Sequence, residues 1–246
     1  MAAWPFPLWI AHRGAGKLAP ENTLAAFRLG ASHGHTAFEC DVKLSADGVP
    51  FLLHDDTLER TSNGRGVAGD RPWAALSRLD AGSWHSPAYA GEPPASLQAI
   101  AGYCVANGHA LDLEIKPSPG TDLATGRAVG EWVHRLWRGS PLLLLSSFKP
   151  QALTGARETA PQVPRALLLD TLWPGCMEMA GSLDCVAIIT NHKLMDAMLM
   201  AQIHGAGRRA LVYTVNDAAR ARALIDLGID GIVTDAVDVF SPGRAV

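Results

Sequence analysis

Short apolar runs alternate with helical segments along nearly the whole chain, and this order limits the possible folds more than any other feature. Nine runs are predicted to be strands, at residues 8–12, 36–42, 49–54, 110–116, 142–147, 165–169, 185–190, 209–215 and 231–235. Six helices are predicted between them, at residues 22–33, 94–107, 121–138, 150–159, 192–206 and 216–228. Near-continuous apolar strands that alternate with helices indicate an α/β fold, in which helices cover a parallel sheet.

The length of 246 residues suits a (β/α)8 TIM barrel, which typically has about 250 residues. Nine strand candidates compete for eight barrel positions, and 36–42 and 49–54 are too close together for a parallel crossover. Asp47-Gly48 is a strong hairpin signal, so 49–54 is predicted to return antiparallel to the second barrel strand. A two-residue turn would place His54 opposite Asp41, and a shift of two residues would place it opposite Glu39. In both registers His54 shares a sheet face with the carboxylates.

Residues 56–96 interrupt the alternation and are rich in Gly, Pro, Trp and Ser. One short helix is expected near 72–78. Long irregular segments in compact domains are usually functional or disordered. We therefore expect 56–96 to form a lid over the loop end of the barrel, inserted after the hairpin within a single domain of residues 1–246.

Composition excludes several classes of partner. A net charge of −3 and a pI near 6.3 argue against a basic face for nucleic acid or anionic lipid. No apolar run approaches the roughly 20 residues of a membrane span, and the N-terminal residues do not resemble a signal peptide. The scattered cysteines are predicted to be buried free thiols, which favours a cytoplasmic location; they are Cys40, Cys104, Cys176 and Cys185.

Polar clusters close four of the predicted strands, which suggests one site assembled from several strand ends. The clusters are His12-Arg13, Glu39-Cys40-Asp41, His54-Asp55-Asp56 and Glu114-Ile115-Lys116. Buried carboxylates of like charge need a cation or a partner. Because oxygen ligands suit hard cations and no Cys/His cluster indicates zinc, Glu39, Asp41 and Glu114 predict one divalent cation, Mg²⁺ or Ca²⁺.

The remaining cluster residues suit acid–base chemistry on an anion. His12 and His54 offer two imidazoles that titrate near neutral pH. Arg13 and Lys116 could hold a phosphate or could simply neutralise the carboxylates. Most other histidines are predicted to be structural, namely His33, His35, His85, His109, His134 and His204.

The order and spacing of these motifs resemble the glycerophosphodiester phosphodiesterase family over roughly residues 8–240. The motifs are His12-Arg13-Gly14, Pro20-Glu21-Asn22-Thr23, Glu39-x-Asp41, Asp47-Gly48, His54-Asp55, Glu114-Ile115-Lys116, Ser147-Phe148, Tyr213-Thr214-Val215-Asn216 and Gly231-Ile232-Val233-Thr234-Asp235. The segments 58–64, 80–84 and 191–194 are more particularly similar to the cytoplasmic bacterial branch that serves glycerol-phosphate (Ugp) uptake. One departure is Tyr213, where many relatives carry Trp.

The resemblance implies a role for each motif residue. Glu39, Asp41 and Glu114 would hold the divalent cation, Arg13 and Lys116 would bind phosphate oxygens, and His12 and His54 would act as base and acid. The implied reaction is hydrolysis of a small glycerophosphodiester to sn-glycerol 3-phosphate and an alcohol. A glycerol hydroxyl would attack first, and water would then open the cyclic phosphate. Phe148 and Tyr213 are candidate substrate contacts, and Trp84 is a further candidate for the pocket lining.

Three other functions fit these residues less well. A phospholipase D-like lyase would stop at the cyclic phosphate, but the sequence lacks the paired Cys near His54 expected for it. A non-catalytic binding protein would carry degraded motifs, whereas these are intact. A zinc amidohydrolase would need His-x-His on the first strand, where this chain has His12-Arg13-Gly14. The sequence contains no indication of oligomeric state.

Overall fold

The computed structural model describes residues 4–137, 139–140 and 142–242. Its strands are β1 (Trp9–Ala11), β2 (Ala37–Leu44), β3 (Pro50–Leu52), β4 (Ala110–Ile115), β5 (Leu143–Ser147), β6 (Arg165–Leu169), β7 (Ala187–Asn191), β8 (Arg209–Tyr213) and β9 (Gly231–Thr234). Its helices are α1 (Leu24–Ser32), α2 (Trp73–Leu76), α3 (Leu97–Asn107), α4 (Asp122–Trp137), α5 (Pro150–Thr159), α6 (Cys176–Ser182), α7 (Ala197–Gly205) and α8 (Ala218–Asp226). The end at residue 138 of the helix predicted at 121–138, and both ends of the predicted 1–246 domain, lie outside the described residues.

Eight parallel strands close into a barrel. The sheet order is β1-β9-β8-β7-β6-β5-β4-β2, and β1 also pairs with β2, which completes the ring. The predicted (β/α)8 TIM barrel is therefore confirmed. Within the described residues every helix is too short or too polar to cross a bilayer. All four cysteines are buried and free, as predicted.

The barrel interior is apolar on one side and polar on the other. Strands β6 to β9 contribute aliphatic side chains such as Leu168, Ile189 and Val233 to one buried cluster. On β2 and β4 the corresponding alternate positions change from apolar to acidic toward the strand ends, in the orders Ala37–Glu39–Asp41 and Ala110–Asp112–Glu114. Because alternate residues of a strand face the same side, the acidic residues collect at the carboxyl end of the barrel.

The predicted hairpin exists, but its predicted register was wrong. Strand β3 pairs antiparallel with β2 with Val42 opposite Leu52, which places Leu53, and not His54, beside Asp41. The turn spans 45–49 and is longer than two residues, because the Ser45 hydroxyl bonds both the Asp47 carboxylate and the backbone N–H of Val49. His54 follows the end of β3, so its position depends on the loop and not on the ladder.

One helix was missed, and the long irregular segment is as expected. Helix α6 has only seven residues, and it follows Gly175 without a side-chain cap. Helices α1, α3, α7 and α8 are each capped by the side chain of the residue before them, in turn Thr23, Ser96, Asp196 and Asp217. Between β3 and α3 the chain forms turns, two short 3₁₀ helices and α2, which matches the short helix predicted near 72–78.

Candidate active site

A cavity of about 280 Å³ opens at the carboxyl end of the barrel, where enzymes of this architecture carry their sites. The structure brings all nine predicted site residues together there. Eight line the cavity: His12, Arg13, Glu39, His54, Glu114, Lys116, Phe148 and Tyr213. The ninth, Asp41, is buried and forms ion pairs with Arg13 and Lys116. Trp84 instead lines a neighbouring groove that shares His12 and Arg13 with the cavity.

Glu39, Asp41 and Glu114 form a compact buried cluster. One carboxylate oxygen from each lies within 4.8 Å of the others, and Asp41 and Glu114 are direct neighbours across the β2–β4 ladder. Burial raises the pKa of Glu39 well above its ordinary value, and repulsion from Asp41 and Glu114 raises it further. Burial and the charge of Asp41 likewise raise the pKa of Glu114 to about 7. Burial opposes ionisation of Asp41, but Lys116 and Arg13 lower its pKa to about 2.

This pattern fits a divalent cation. Three carboxylates of like charge are buried together. Without a cation, their burial and mutual repulsion favour protonation of Glu39 and Glu114. A hard cation would relieve the repulsion and keep all three ionised.

Two basic side chains border the carboxylates. The Lys116 ammonium lies 3.1 Å from Glu114 Oε1 and 3.3 Å from Asp41 Oδ1. The Arg13 guanidinium donates to Glu21 Oε1 at 2.8 Å. Its Nε lies 3.4 Å from Asp41 Oδ2 and is buried without a hydrogen-bond partner among the described residues. Both cations therefore neutralise the carboxylates here.

The backbone that carries Arg13 is strained. Arg13 and Asn22 both have positive φ, of 50° and 61°, which is uncommon for residues other than glycine. The Asn22 N–H donates to Arg13 O, and its side chain both donates to Asp41 Oδ2 and accepts from the Asp41 N–H. Asn22 thus links the first loop to the acidic strand. Such strain is commonly stored at functional sites.

His12 is oriented by an acid that follows the last barrel strand. Its Nδ1 lies 2.6 Å from Asp235 Oδ1, and Asn216 donates to Asp235 Oδ2 at 2.9 Å. Burial opposes ionisation of Asp235, but the bond and the charge of His12 lower its pKa to about 2. With Nδ1 engaged, Nε2 lies toward the carboxylates, 3.7 Å from Glu39 Oε2.

His54 is held by a corresponding arrangement built from loops. Its Nδ1 lies 2.7 Å from Asp55 Oδ1, and Arg60 donates to both Asp55 oxygens at 2.6 and 2.9 Å. Arg60 also donates to both oxygens of Glu21, the carboxylate that holds Arg13. Burial lowers the pKa of His54, although the nearby Asp41 opposes this effect. One network therefore connects the irregular segment to His54 and Arg13.

Several residues of this network were not predicted as site residues. Glu21, Asn22, Asp55 and Asp235 occur in the resembling motifs but received no role. Glu21, Asn22 and Asp235 reach their partners through loops, so strand spacing gives no signal for them, whereas Asp55 adjoins His54 in the sequence. Arg60 lies in the 58–64 segment that resembles the Ugp branch but received no role, and Asp170 carried no sequence signal beyond directly following the predicted strand at 165–169.

Comparisons with known proteins identify the family of this chain. The model of the glycerophosphoryl diester phosphodiesterase family matches residues 12–239. This chain belongs to that family. This chain is a glycerophosphodiester phosphodiesterase, as predicted. The narrower resemblance to the Ugp branch stays a prediction.

Two bacterial relatives match this chain over nearly their full length. YhdW of Bacillus subtilis is 33% identical over 235 residues, which cover 93% of this chain and 94% of YhdW. A glycerophosphodiester phosphodiesterase of Caldanaerobacter subterraneus is 28% identical, with 93% of each chain covered. The structure of an Oleispira antarctica phosphodiesterase in complex with the product sn-glycerol-3-phosphate matches with a TM-score of 0.90 at 35% identity, covering 95% of this chain and 94% of that one.

Proposed function

We propose that this enzyme hydrolyses small glycerophosphodiesters to sn-glycerol 3-phosphate and an alcohol, using a divalent cation and the imidazoles of His12 and His54. One observation carries the proposal: both imidazoles line one cavity with the carboxylate cluster, and a carboxylate holds each at Nδ1. This arrangement leaves both Nε2 atoms for proton transfer. The Oleispira relative, whose structure contains sn-glycerol-3-phosphate, supports the product.

Glu39, Asp41 and Glu114 would hold the cation, Mg²⁺ or Ca²⁺. When bound, it would lower the pKa of the attacking hydroxyl and neutralise charge on the phosphoryl oxygens. Arg13 and Lys116 would bind the phosphate. Both side chains line the cavity beside the carboxylate cluster, which supports this role.

The two histidines would divide the proton transfers. One imidazole takes the proton of the glycerol hydroxyl as its oxygen bonds to phosphorus, and the other protonates the alcohol oxygen as its bond to phosphorus breaks. With the roles exchanged, water then opens the cyclic phosphate. Asp235 and Asp55 would stabilise the imidazolium that forms on each side.

We also propose that residues 1–246 form one catalytic domain and that residues 56–96 cap the site. The bonds from Arg60 to Asp55 and Glu21 support the cap, because they attach this segment to two site loops. A cytoplasmic location is proposed from the four buried free thiols.

Alanine substitution of the histidines tests the proposal. We expect His12→Ala and His54→Ala to lower the rate of sn-glycerol 3-phosphate formation by about 10²–10⁴-fold each, the usual value of acid–base assistance. His134→Ala, at an exposed position of α4, is the matched control. Circular dichroism would verify folding. Wild-type rates in both site variants would refute the assignment.

Metal removal and product analysis complete the test. Dialysis against EDTA should abolish turnover, and Mg²⁺ or Ca²⁺ should restore it. Retention of the full rate in EDTA would exclude the cation. Phosphorus NMR of the product identifies the reaction type, since a cyclic phosphate as the final product would make the enzyme a lyase.

A further inference from the structure

The apolar half of the cavity ends in a carboxylate, Asp170, that the proposed mechanism does not use. Asp170 directly follows β6, while Asn191 and Tyr213 end β7 and β8. Leu169 pairs with Thr190, and Asn191 pairs with Tyr213. The three residues therefore lie side by side at one height on the barrel rim, opposite the acidic strands.

Hydrogen bonds fix one oxygen of Asp170 and leave the other available. Oδ1 accepts from the Tyr213 hydroxyl at 3.1 Å and from Asn191 Nδ2 at 3.0 Å. Across the part of the chain that the structure describes, Oδ2 has no such bond. Burial and the charge of Asp170 raise the pKa of Tyr213, so this phenol keeps its proton and remains a donor. Asp170 therefore presents an oriented acceptor to the cavity.

Aromatic rings connect this acceptor to the cationic end of the cavity. The Lys116 ammonium lies 5.9 Å from the centroid of the Phe148 ring, and the Phe148 and Tyr213 rings meet edge to face at 5.7 Å. Leu168 and Ile189 also line the space. A complementary ligand has an anionic group at the Lys116 end, a short carbon chain along the rings, and hydroxyl donors at the Asp170 end.

We propose that Asp170, positioned by Asn191 and Tyr213, accepts hydrogen bonds from the hydroxyls of the glycerol moiety and selects glycerol phosphates over phosphates with apolar or anionic chains. The inference rests on the proposed function and deepens it by naming a specificity residue. A hydroxyl satisfies the acceptor, an alkyl chain leaves it unpaired, and a carboxylate is repelled by it.

Binding of three phosphates to the Mg²⁺-saturated enzyme tests this, with isothermal titration calorimetry as the readout. The ligands are sn-glycerol 3-phosphate, n-propyl phosphate, which lacks the hydroxyls, and 3-phosphoglycerate, which carries a carboxylate. For Asp170→Ala we expect the Kd of sn-glycerol 3-phosphate to rise about 10- to 100-fold, as for loss of bonds to a charged acceptor, and the Kd of n-propyl phosphate to change less than about twofold. For Asp170→Asn we expect 3-phosphoglycerate to bind more tightly than to wild type.

Matched variants keep the outcomes distinct. Asp226→Ala, on the exposed side of α8, should leave all three affinities unchanged. Asp170→Asn retains an acceptor for Tyr213 and Asn191, so it serves if the alanine variant is unstable. Equal weakening of sn-glycerol 3-phosphate and n-propyl phosphate, or no weakening of either, would overturn the inference alone. Failure of the wild type to bind sn-glycerol 3-phosphate would overturn the proposed function as well.

Discussion

Asp235, which follows the last barrel strand, orients His12 through a hydrogen bond at Nδ1. An Asp235→Asn substitution keeps the size of the side chain but places an amide where a carboxylate accepts from Nδ1. We expect kcat to fall by about 10²–10⁴-fold with little change in KM, because the imidazole loses both its preferred tautomer and its counter-charge. Steady-state kinetics on a glycerophosphodiester measures both constants.

A matched control separates this effect from the mere loss of an acid. Asp226→Asn makes the same chemical change at an exposed position of α8, and we expect wild-type kinetics. A variant Asp235→Asn with wild-type kcat would show that His12 does not need its partner.

The catalytic-type residues could be predicted from the sequence, and most of their partners could not. His12, Arg13, Glu39, Asp41 and Glu114 each follow or end an apolar run, and parallel strands bring such positions to one end of the barrel. Their partners Asp235, Asn22 and Glu21 lie in loops. Loop conformation depends on tertiary contacts, which a single sequence does not reveal.

The β2–β3 hairpin shows how far local signals extend. Asp47-Gly48 correctly indicated a turn between antiparallel strands. The side chain of Ser45 lengthened that turn, and a change of one residue in register moves every side chain to the other face. His54 nevertheless lines the cavity because the chain leaves the strand before it. The predicted location of His54 was correct, but the strand argument for it was wrong.

Helices α4 and α5 pack through glycines, which makes their contact sensitive to a single methyl group. A Cβ at Gly126 would overlap the Ala152 carbonyl oxygen, and one at Gly155 would overlap the Leu123 carbonyl oxygen. We expect Gly126→Ala to lower the free energy of unfolding by about 1–3 kcal/mol, because two helix backbones must separate. Urea unfolding followed by circular dichroism measures the change.

The control is a helical glycine with free space around it. Nothing lies within 4 Å of a Cβ at Gly102 in α3, so Gly102→Ala should be neutral or stabilising by up to about 1 kcal/mol. If both variants had the same stability, close approach of the helices would not be the reason for a glycine at position 126.

Across the whole molecule, the carboxyl end of the barrel holds the candidate active site, and the amino end contributes to stability. The carboxyl end collects buried like charges and strained backbone, both of which reduce stability. The amino end contains ion pairs that join neighbouring elements. There Asp230, just before β9, lies 2.8 Å from Arg209 Nη1 on β8 and 2.8 Å from His204 Nε2 on α7. Substitutions at this end should therefore change stability without changing catalysis.

Asp230→Asn tests that division through its dependence on pH. Burial opposes ionisation of Asp230, but the backbone N–H of Ala210, His204 and Arg209 lower its pKa below the ordinary 3.8. A lowered pKa in the folded state adds stability that is fully present well above pH 3.8 and is lost as the pH falls through the folded-state pKa. We expect wild type to exceed the variant by about 1–3 kcal/mol at neutral pH, with the difference shrinking below about pH 4 while kcat/KM at neutral pH stays unchanged. Urea denaturation across this pH range measures the difference, and a constant difference down to the most acidic pH would show that the charge of Asp230 does not stabilise the fold.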